Sequence, residues 1–128
     1  MHAVDTNVLV RLLTVDDAKQ VASAEAFLGR VGHAWVSHIV LVETVWILES
    51  VYERDRAQIA SALTTLLDHR SFVLQDADVV QSAFELFRSK RSLGFSDCLV
   101  LETARRAGHL PLATFDRALG AVAGAERI

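Results

Sequence analysis

Short apolar runs alternate with longer segments of helical periodicity along the whole chain. The longer segments repeat apolar residues every three to four positions, which is typical of helices that bury one face. The short runs predict strands at His2–Val4, Ala34–Val36, Ser71–Leu74 and Pro111–Thr114. Strands and helices that alternate in this way predict an α/β fold around a mostly parallel sheet.

Residues that commonly begin helices stand before most of the helical segments. The helix after Ser37 is predicted to run from about His38 to Tyr52, and Gly32 and Gly108 are predicted to end two others. The other predicted N-caps are Asp16 or Asp17, Asp55, Asp76 or Asp78, and Ser96. The predicted inward faces include Val8, Leu9, Leu12, Leu13, Val21, Ala24, Leu28, Val31, Ile59, Leu63, Leu66, Leu67, Val79, Ala83, Leu86 and Phe87.

Composition predicts one globular domain that spans residues 1–128. The chain is 52% apolar and 23% charged, and it is long enough to bury a core without cross-links. Its single cysteine, Cys98, excludes an internal disulfide and a cysteine-based zinc site, and is expected in the core. The longest apolar stretch, Ile39–Leu48, contains Glu43 and is too short to span a bilayer. No secretion signal is recognisable at Met1, so a cytoplasmic protein without a membrane segment is expected.

The charge balance argues against nucleic-acid binding by positive charge alone. The formal net charge is −3, whereas domains that bind phosphate only through charge are usually strongly basic. Arginine nevertheless outnumbers lysine by eleven to two, and arginine is the better bidentate ligand for phosphate. This balance is compatible with a nuclease whose acidic residues are concentrated in a metal site.

Four acidic residues stand at positions where a carboxylate has either a structural or a chemical role. Asp5 and Asp116 each follow a predicted strand, where they would lie at one edge of a parallel sheet, but either residue could simply cap a helix. Asp97 lies in the first turn of a helix, where the helix dipole alone favours an acidic residue. Glu43 is the only charge in an apolar run; it could lie on a solvent-facing strip with Thr44, or pair with an arginine.

Taken together, the four carboxylates predict a site for one or two Mg²⁺ or Mn²⁺ ions. Clustered carboxylates repel one another unless a cation offsets their charge, and these hard ions prefer oxygen ligands. Paired ions of this kind hydrolyse phosphodiesters with an activated water. A phosphoryl-transfer or receiver domain is the enzymatic rival. Such sites generally need a late lysine to bind the phosphoryl group, and the only lysines here are Lys19 and Lys90. A non-catalytic acidic docking module for an arginine-bearing partner stays open as the alternative.

Four segments of the chain resemble the PIN-domain ribonucleases, specifically their VapC toxin branch. They are Val4–Val10, with the sequence Asp-Thr-Asn, the helix entry from Ser37 to Glu43, the run Phe95–Leu99, and the ending Gly108–Asp116. Asp-Thr-Asn alone would be weak evidence. All four segments in this order, in a chain of this length, make the resemblance specific.

The resemblance implies a three-layer α/β/α sandwich and a metal-dependent endoribonuclease. Asp5, Glu43, Asp97 and Asp116 match the family's acidic metal-binding positions. Thr6, Asn7 and Thr114 match its supporting polar positions, which would orient carboxylates and metal-bound waters. The resemblance also implies a homodimer, a VapB-like antitoxin as partner, and a narrow set of structured RNA substrates.

Four arginines are the candidates for contacts with the RNA backbone. Arg11 and Arg117 are close in sequence to the acidic motifs, whereas Arg88 and Arg91 lie in a basic connector that could equally be an ordinary solvated segment. The two tryptophans, Trp35 and Trp46, are expected in the core or in a dimer interface.

Overall fold

Seven helices and five strands alternate along the 128 residues, all of which the computed structural model describes. In chain order they are β1 (His2–Ala3), α1 (Thr6–Thr14), α2 (Ala18–Val31), β2 (Ala34–Val36), α3 (His38–Ser50), α4 (Arg56–Asp68), β3 (Phe72–Leu74), α5 (Ala77–Ser89), α6 (Phe95–Ala107), β4 (Leu112–Thr114), α7 (Arg117–Gly120) and β5 (Ala125–Arg127). None of the helices combines the length and apolar character needed to cross a bilayer.

The chain divides into two compact units, Met1–Gln75 and Asp76–Ile128. The first unit contains a three-stranded sheet in the order β1-β2-β3, and both of its strand pairs are parallel. Two helices connect each strand to the next, as the sequence pattern predicts for parallel neighbours. The first unit therefore has the predicted α/β architecture.

Helix starts in the first unit are fixed by local side-chain hydrogen bonds. The hydroxyl of Ser37 accepts from the backbone N–H of Val40, which begins α3. Asp55 and Gln58 form a reciprocal capping box at the start of α4. Asp17 caps α2, whereas Asp16 is not a cap. Apolar residues from these helices and from β2 form the buried core, including Leu9, Ala34, Leu41, Ile59 and Leu63.

The second unit is built on the packing of α5 against α6. The rings of Phe87 and Phe95 meet edge to face, with centroids 6.1 Å apart, and both residues are buried. Cys98 is buried in the core and forms no disulfide, as predicted. Strands β4 and β5 form a separate two-stranded parallel sheet, joined by α7, and β5 was not predicted from the sequence.

Several sequence predictions are wrong in detail. Helix α6 begins at Phe95 with Gly94 at its N-cap position, so Ser96 lies inside the first turn and does not cap it. Strand β1 ends at Ala3, one residue before its predicted end at Val4. Both residues of the strand are exposed, and Val4 just beyond it is buried. Asp76 occupies the N-cap position of α5 but accepts no capping hydrogen bond. Asp78 lies in the first turn and pairs with Arg106 instead.

The outer parts of the predicted helix faces are less buried than the pattern suggested. Val31, Leu67 and Leu86 are only partly buried. The tryptophans are not core residues, because Trp35 is 38% exposed and Trp46 is 62% exposed.

Candidate active site

The junction between β1 and α1 positions Asp5. The backbone N–H of Val4 donates to the carbonyl of Trp35 at 3.1 Å, which continues the strand pairing up to the junction. Oδ1 of Asp5 then accepts from the N–H of Val8 at 3.3 Å, so Asp5 is the N-cap of α1. Only one oxygen is used for the cap, and Oδ2 has no hydrogen-bond partner. The capping role weighed in the sequence is therefore real, and it leaves half of the carboxylate available.

The junction between β4 and α7 repeats this arrangement at Asp116. Oδ2 of Asp116 accepts from the backbone N–H of Leu119 at 2.7 Å, and this hydrogen bond caps α7. The backbone N–H of Asp116 donates to Oγ1 of Thr114 at 3.0 Å. Thr114 thus fixes the backbone of the residue that carries the carboxylate, and its role in orienting a metal ligand stays a prediction.

Asp97 has a different environment, because no hydrogen bond or ion pair stabilises its charge. It lies in the first turn of α6, is partly buried, and takes part in no hydrogen bond or ion pair. Burial raises the pKa of its carboxyl group, and the nearby negative charge of Asp116 raises it further. A helix N-terminus by itself would lower this pKa. Burial and the charge of Asp116 therefore outweigh the effect of the helix N-terminus on this carboxyl group.

Glu43 lies in the middle of α3 with its side chain exposed. The adjacent Thr44 is completely buried and donates its hydroxyl to the carbonyl of Val40 at 2.7 Å. The suggestion that Glu43 shares a solvent-facing strip with Thr44 is therefore wrong. Glu43 also forms no ion pair with an arginine.

Of the four predicted carboxylates, Asp97 and Asp116 interact within the second unit. Asp5 and Glu43 both belong to the first unit, on α1 and α3, which pack against each other. No three His, Cys, Asp or Glu side chains converge closely enough to enclose a metal ion. A cluster of all four carboxylates stays a prediction.

The donor chemistry of Asp97 and Asp116 fits a hard divalent cation. Both groups are oxygen donors, and one of them is partly desolvated, without a partner and repelled by the other. A divalent cation would offset this repulsion, and Mg²⁺ and Mn²⁺ prefer such oxygen ligands. The residues present therefore suit the metal that the sequence predicts.

Asn7 is exposed and lines a shallow groove of about 310 Å³ between α1 and α2. The groove is mostly apolar, and its lining includes Val8, Ala24 and Phe27. Thr6 is buried at the first position of α1, and its hydroxyl makes no hydrogen bond. The supporting roles of Asn7 and Thr6 stay predictions.

Arg11 is held by neighbouring side chains of the first unit. Its guanidinium donates to Oδ1 of Asp16 at 3.2 Å and to the Tyr52 hydroxyl at 3.1 Å, and it also contacts the side chain of Gln20. The Tyr52 hydroxyl in turn donates to Oδ2 of Asp16 at 2.7 Å, and this hydrogen bond is the main reason that the pKa of Asp16 is lowered. Contact between Arg11 and RNA would require these partners to be exchanged.

The other three candidate arginines are exposed. Arg88 lies over the ring of Phe84, 5.5 Å from its centroid. Arg91 and Arg117 take part in no ion pair. These three guanidinium groups remain accessible to an anionic ligand.

Sequence reasoning missed two residues beside Asp116. Arg127 pairs with Thr114 in the register of β4 and β5, and Phe115 is 80% exposed. The only sequence signal for β5 is the turn residue Gly124 before it, since Ala125–Arg127 has no apolar alternation. An apolar residue such as Phe115 is ordinarily assigned to the core.

Comparison with known proteins gives a family match and one relative. The family model of the PIN domain matches residues 3–125. The chain is also similar to a VapC ribonuclease from Aquifex aeolicus (strain VF5). The two are 29% identical over 121 residues, which is 91% of this chain and 88% of that protein. No solved protein structure matches the chain significantly.

Proposed function

Because this chain belongs to the PIN-domain family, we propose that it is an endoribonuclease that hydrolyses RNA phosphodiester bonds with the help of a divalent metal. The family match confirms the predicted PIN-like α/β/α fold. The similarity to a VapC ribonuclease supports RNA over DNA as the substrate. It also supports a role as the toxin of a toxin–antitoxin pair.

The observation that carries this proposal is the state of Asp97. A partly buried carboxylate with no hydrogen bond, no ion pair and a second carboxylate nearby destabilises the folded protein when it is ionised. An acidic residue kept only for stability would have a compensating partner. A cation ligand accounts for both the missing partner and the proximity of Asp116.

We assign the metal to Asp5, Glu43, Asp97 and Asp116, which would hold one or two Mg²⁺ or Mn²⁺ ions. Bound metal would supply Lewis acidity and a water of lowered pKa, so that no nucleophilic side chain is needed. Asp5 and Asp116 would hold their free oxygens in fixed directions, because the other oxygen of each caps a helix. Thr114 would keep the backbone of Asp116 in place.

The remaining residues are assigned to orientation and substrate contact. Thr6 and Asn7 would orient Asp5 and the waters around it. Cationic side chains would be needed near the carboxylates, since the formal net charge of −3 does not attract RNA. Those side chains are Arg11, Arg88, Arg91 and Arg117.

The proposed partners are a second copy of the chain and an antitoxin of the VapB type. Action in the cytoplasm follows from the proposed RNA substrate and antitoxin.

The proposal is tested by mapping new RNA ends. Purified protein is incubated with total cellular RNA in Mg²⁺ or Mn²⁺, beside an EDTA control and the Asp97→Asn variant. Discrete new ends are expected with the unsubstituted protein and in neither control. If the same ends appear with EDTA, metal dependence is refuted; if none appear in any sample, the ribonuclease assignment fails.

A melting experiment separates the enzyme from an acidic docking module. Metal that binds only the folded state raises the melting temperature by mass action. Mn²⁺ is therefore expected to raise the melting temperature of the unsubstituted protein more than that of Asp97→Asn. Docking of an arginine-bearing partner needs no metal, so a melting temperature unaffected by Mn²⁺ would favour the docking module.

A further inference from the structure

An aromatic side chain stands in solvent directly beside one of the proposed metal ligands. Phe115 lies between Thr114 and Asp116, where β4 ends, and it is 80% exposed. It is the most exposed aromatic residue among the large apolar side chains that reach solvent. Nothing in the proposed hydrolysis uses this ring, and exposing it to water gives the fold no benefit.

The backbone on both sides of Phe115 is fixed. On one side, the carbonyl of Thr114 accepts from the N–H of Ile128 at 2.9 Å. On the other side, the N–H of Asp116 donates to Oγ1 of Thr114, and its carboxylate caps α7. These hydrogen bonds fix the backbone before and after Phe115, so the direction in which its Cβ leaves the chain is set. The ring is therefore presented to solvent by a rigid support.

Two exposed arginines flank the same segment within the second unit. Arg117 follows Asp116 directly, and Arg127 pairs with Thr114 across the two-stranded sheet. Neither guanidinium takes part in an ion pair. Gly120 allows Arg127 to lie this close to α7, because a Cβ at position 120 would be only 2.6 Å from the Cβ of Arg127.

We propose that Phe115, Arg117 and Arg127 form a subsite for one unpaired nucleotide of the RNA substrate. The ring of Phe115 would stack on the base, and the two guanidinium groups would neutralise the adjacent phosphates. This inference rests on the proposed ribonuclease function and adds a substrate feature to it. The subsite requires an unpaired base, since a base within a duplex has both faces covered.

Charge favours RNA over a protein as the occupant. Asp97 and Asp116 repel phosphate, so a substrate strand that reaches them needs cations close by. Arg117 follows Asp116 along the chain, and Arg127 pairs with Thr114 across the two-stranded sheet, so both cations belong to the strand end that carries Phe115. Stacking on an aromatic ring is tolerant of base identity, so the subsite fixes the strand and leaves sequence choice to other residues.

The first experiment measures binding of a fluorescently labelled single-stranded oligoribonucleotide to the full chain by anisotropy. EDTA is present so that cleavage does not interfere, and the salt concentration is low. Phe115→Ala is expected to weaken binding about 5- to 150-fold, the range that stacking of one base supplies. Phe115→Tyr should restore it. Val100→Ala is the matched control, because Val100 is also exposed and lies in the same unit on α6.

An abasic oligonucleotide identifies stacking as the cause. A single abasic position is moved along the strand, and at one position it is expected to weaken binding to the unsubstituted protein as much as Phe115→Ala does. Binding of that strand to Phe115→Ala should then be no weaker, because both changes remove the same contact. If the abasic nucleotide and Phe115→Ala weaken binding additively wherever the abasic nucleotide is placed in the strand, the proposal is overturned.

The arginines are tested through the salt dependence of the same binding. Arg117→Gln and Arg127→Gln should each reduce the slope of log affinity against log salt by about 0.7, the value for one phosphate contact on a single strand. Unchanged slopes would overturn their assignment.

Four outcomes separate this inference from the proposed function. Cleavage by the unsubstituted protein, with equal RNA affinity for Phe115→Ala, would overturn the subsite and leave the ribonuclease in place. Binding that depends on Phe115 without cleavage would support the subsite and remove the proposed activity. A change in oligomeric state of Phe115→Ala without a change in RNA affinity, or no RNA binding by the unsubstituted protein, would overturn the subsite.

Discussion

The two junctions that carry Asp5 and Asp116 have the same capping arrangement, but the residues beside the two aspartates differ in burial. In each, a parallel strand ends, and an aspartate caps the following helix with one oxygen. Asp5 is placed between Val4 and Thr6, which are 7% and 5% exposed. Asp116 is placed between Phe115 and Arg117, and both are exposed.

This difference in burial separates two roles, namely fixing the position of a carboxylate and giving a substrate access to it. Buried neighbours at the first junction fix Asp5 from the protein side and leave little beside it for a ligand to touch. Exposed neighbours at the second junction offer a ring and a cation next to Asp116. The first junction is therefore suited to anchoring and the second to contact with substrate.

The largest expected effect comes from replacing either aspartate with asparagine. Asparagine caps helices as well as aspartate, so the folds of Asp5→Asn and Asp116→Asn should be kept while the metal ligand is lost. Activity should fall by more than about 100-fold, since losing a residue that merely orients a metal ligand typically costs 10- to 100-fold. RNA cleavage rates and melting temperatures measured together check this. Near-normal cleavage by both variants would mean that these residues only cap.

A smaller loss is expected for Thr114→Val, which removes the hydroxyl that accepts from the N–H of Asp116 but keeps the side-chain shape. Metal affinity should fall about 10-fold, and Thr114→Ser should recover it. Thr64→Val is the control, because Thr64 is exposed on α4 and has no part in the proposed site. Titration with Mn²⁺ measures both. Unchanged affinity in Thr114→Val would show that Asp116 needs no such support.

The alanine variants of the same aspartates measure capping alone. Asp5→Ala should lower the free energy of unfolding by about 1 kcal/mol, the usual effect of losing an N-cap. Asp116→Ala should have a smaller effect, because α7 is only four residues long. Urea unfolding in EDTA, compared with the asparagine variants, isolates this contribution. A larger loss of unfolding free energy for Asp116→Ala than for Asp5→Ala would contradict this expectation.

The smallest effect is expected for Asp97→Asn in metal-free protein, and its size depends on pH. The raised pKa of Asp97 means that the folded protein holds its proton more tightly than the unfolded chain does. Stability is therefore lost as pH rises above the usual aspartate value of 3.8 and through the raised pKa.

Asp97→Asn removes this loss, so its melting temperature at neutral pH should exceed that of the unsubstituted protein. The gain should disappear below pH 3.8, where Asp97 is protonated in both states. Thermal melts in EDTA across this range measure it, with Glu85→Gln on the exposed face of α5 as the control. A gain that is independent of pH would show that the charge of Asp97 is not its cause.

Local chemistry explains which parts of the fold were predictable. Ser37 and Asp55 were recognised as caps because the hydrogen bonds they form lie within four residues. Ser96 was not a cap because Gly94 starts α6 without any side-chain hydrogen bond. Strand β5 escaped prediction because pairing with β4 stabilises it, and no pattern of its own does.

In the candidate site, too, some features follow from the local sequence and others only from the tertiary structure. Residue types and the family resemblance identified the carboxylates and Thr114. The charge interaction of Asp97 with Asp116 and the exposure of Phe115 depend on tertiary structure. Sequence reasoning assigns an isolated phenylalanine to the core, because burial is the usual outcome for that residue.

Each capping aspartate uses one carboxylate oxygen for the cap and leaves the other free, and this has a consequence for inheritance. A single transition in an aspartate codon produces asparagine, which preserves the cap and removes the free carboxylate oxygen. Under the proposed function, an inactive yet folded allele would therefore be one mutational step away at Asp5 and again at Asp116. Such alleles would keep the proposed partner-binding surfaces, so lineages of this domain would be able to lose the proposed catalysis and retain a heritable binding role.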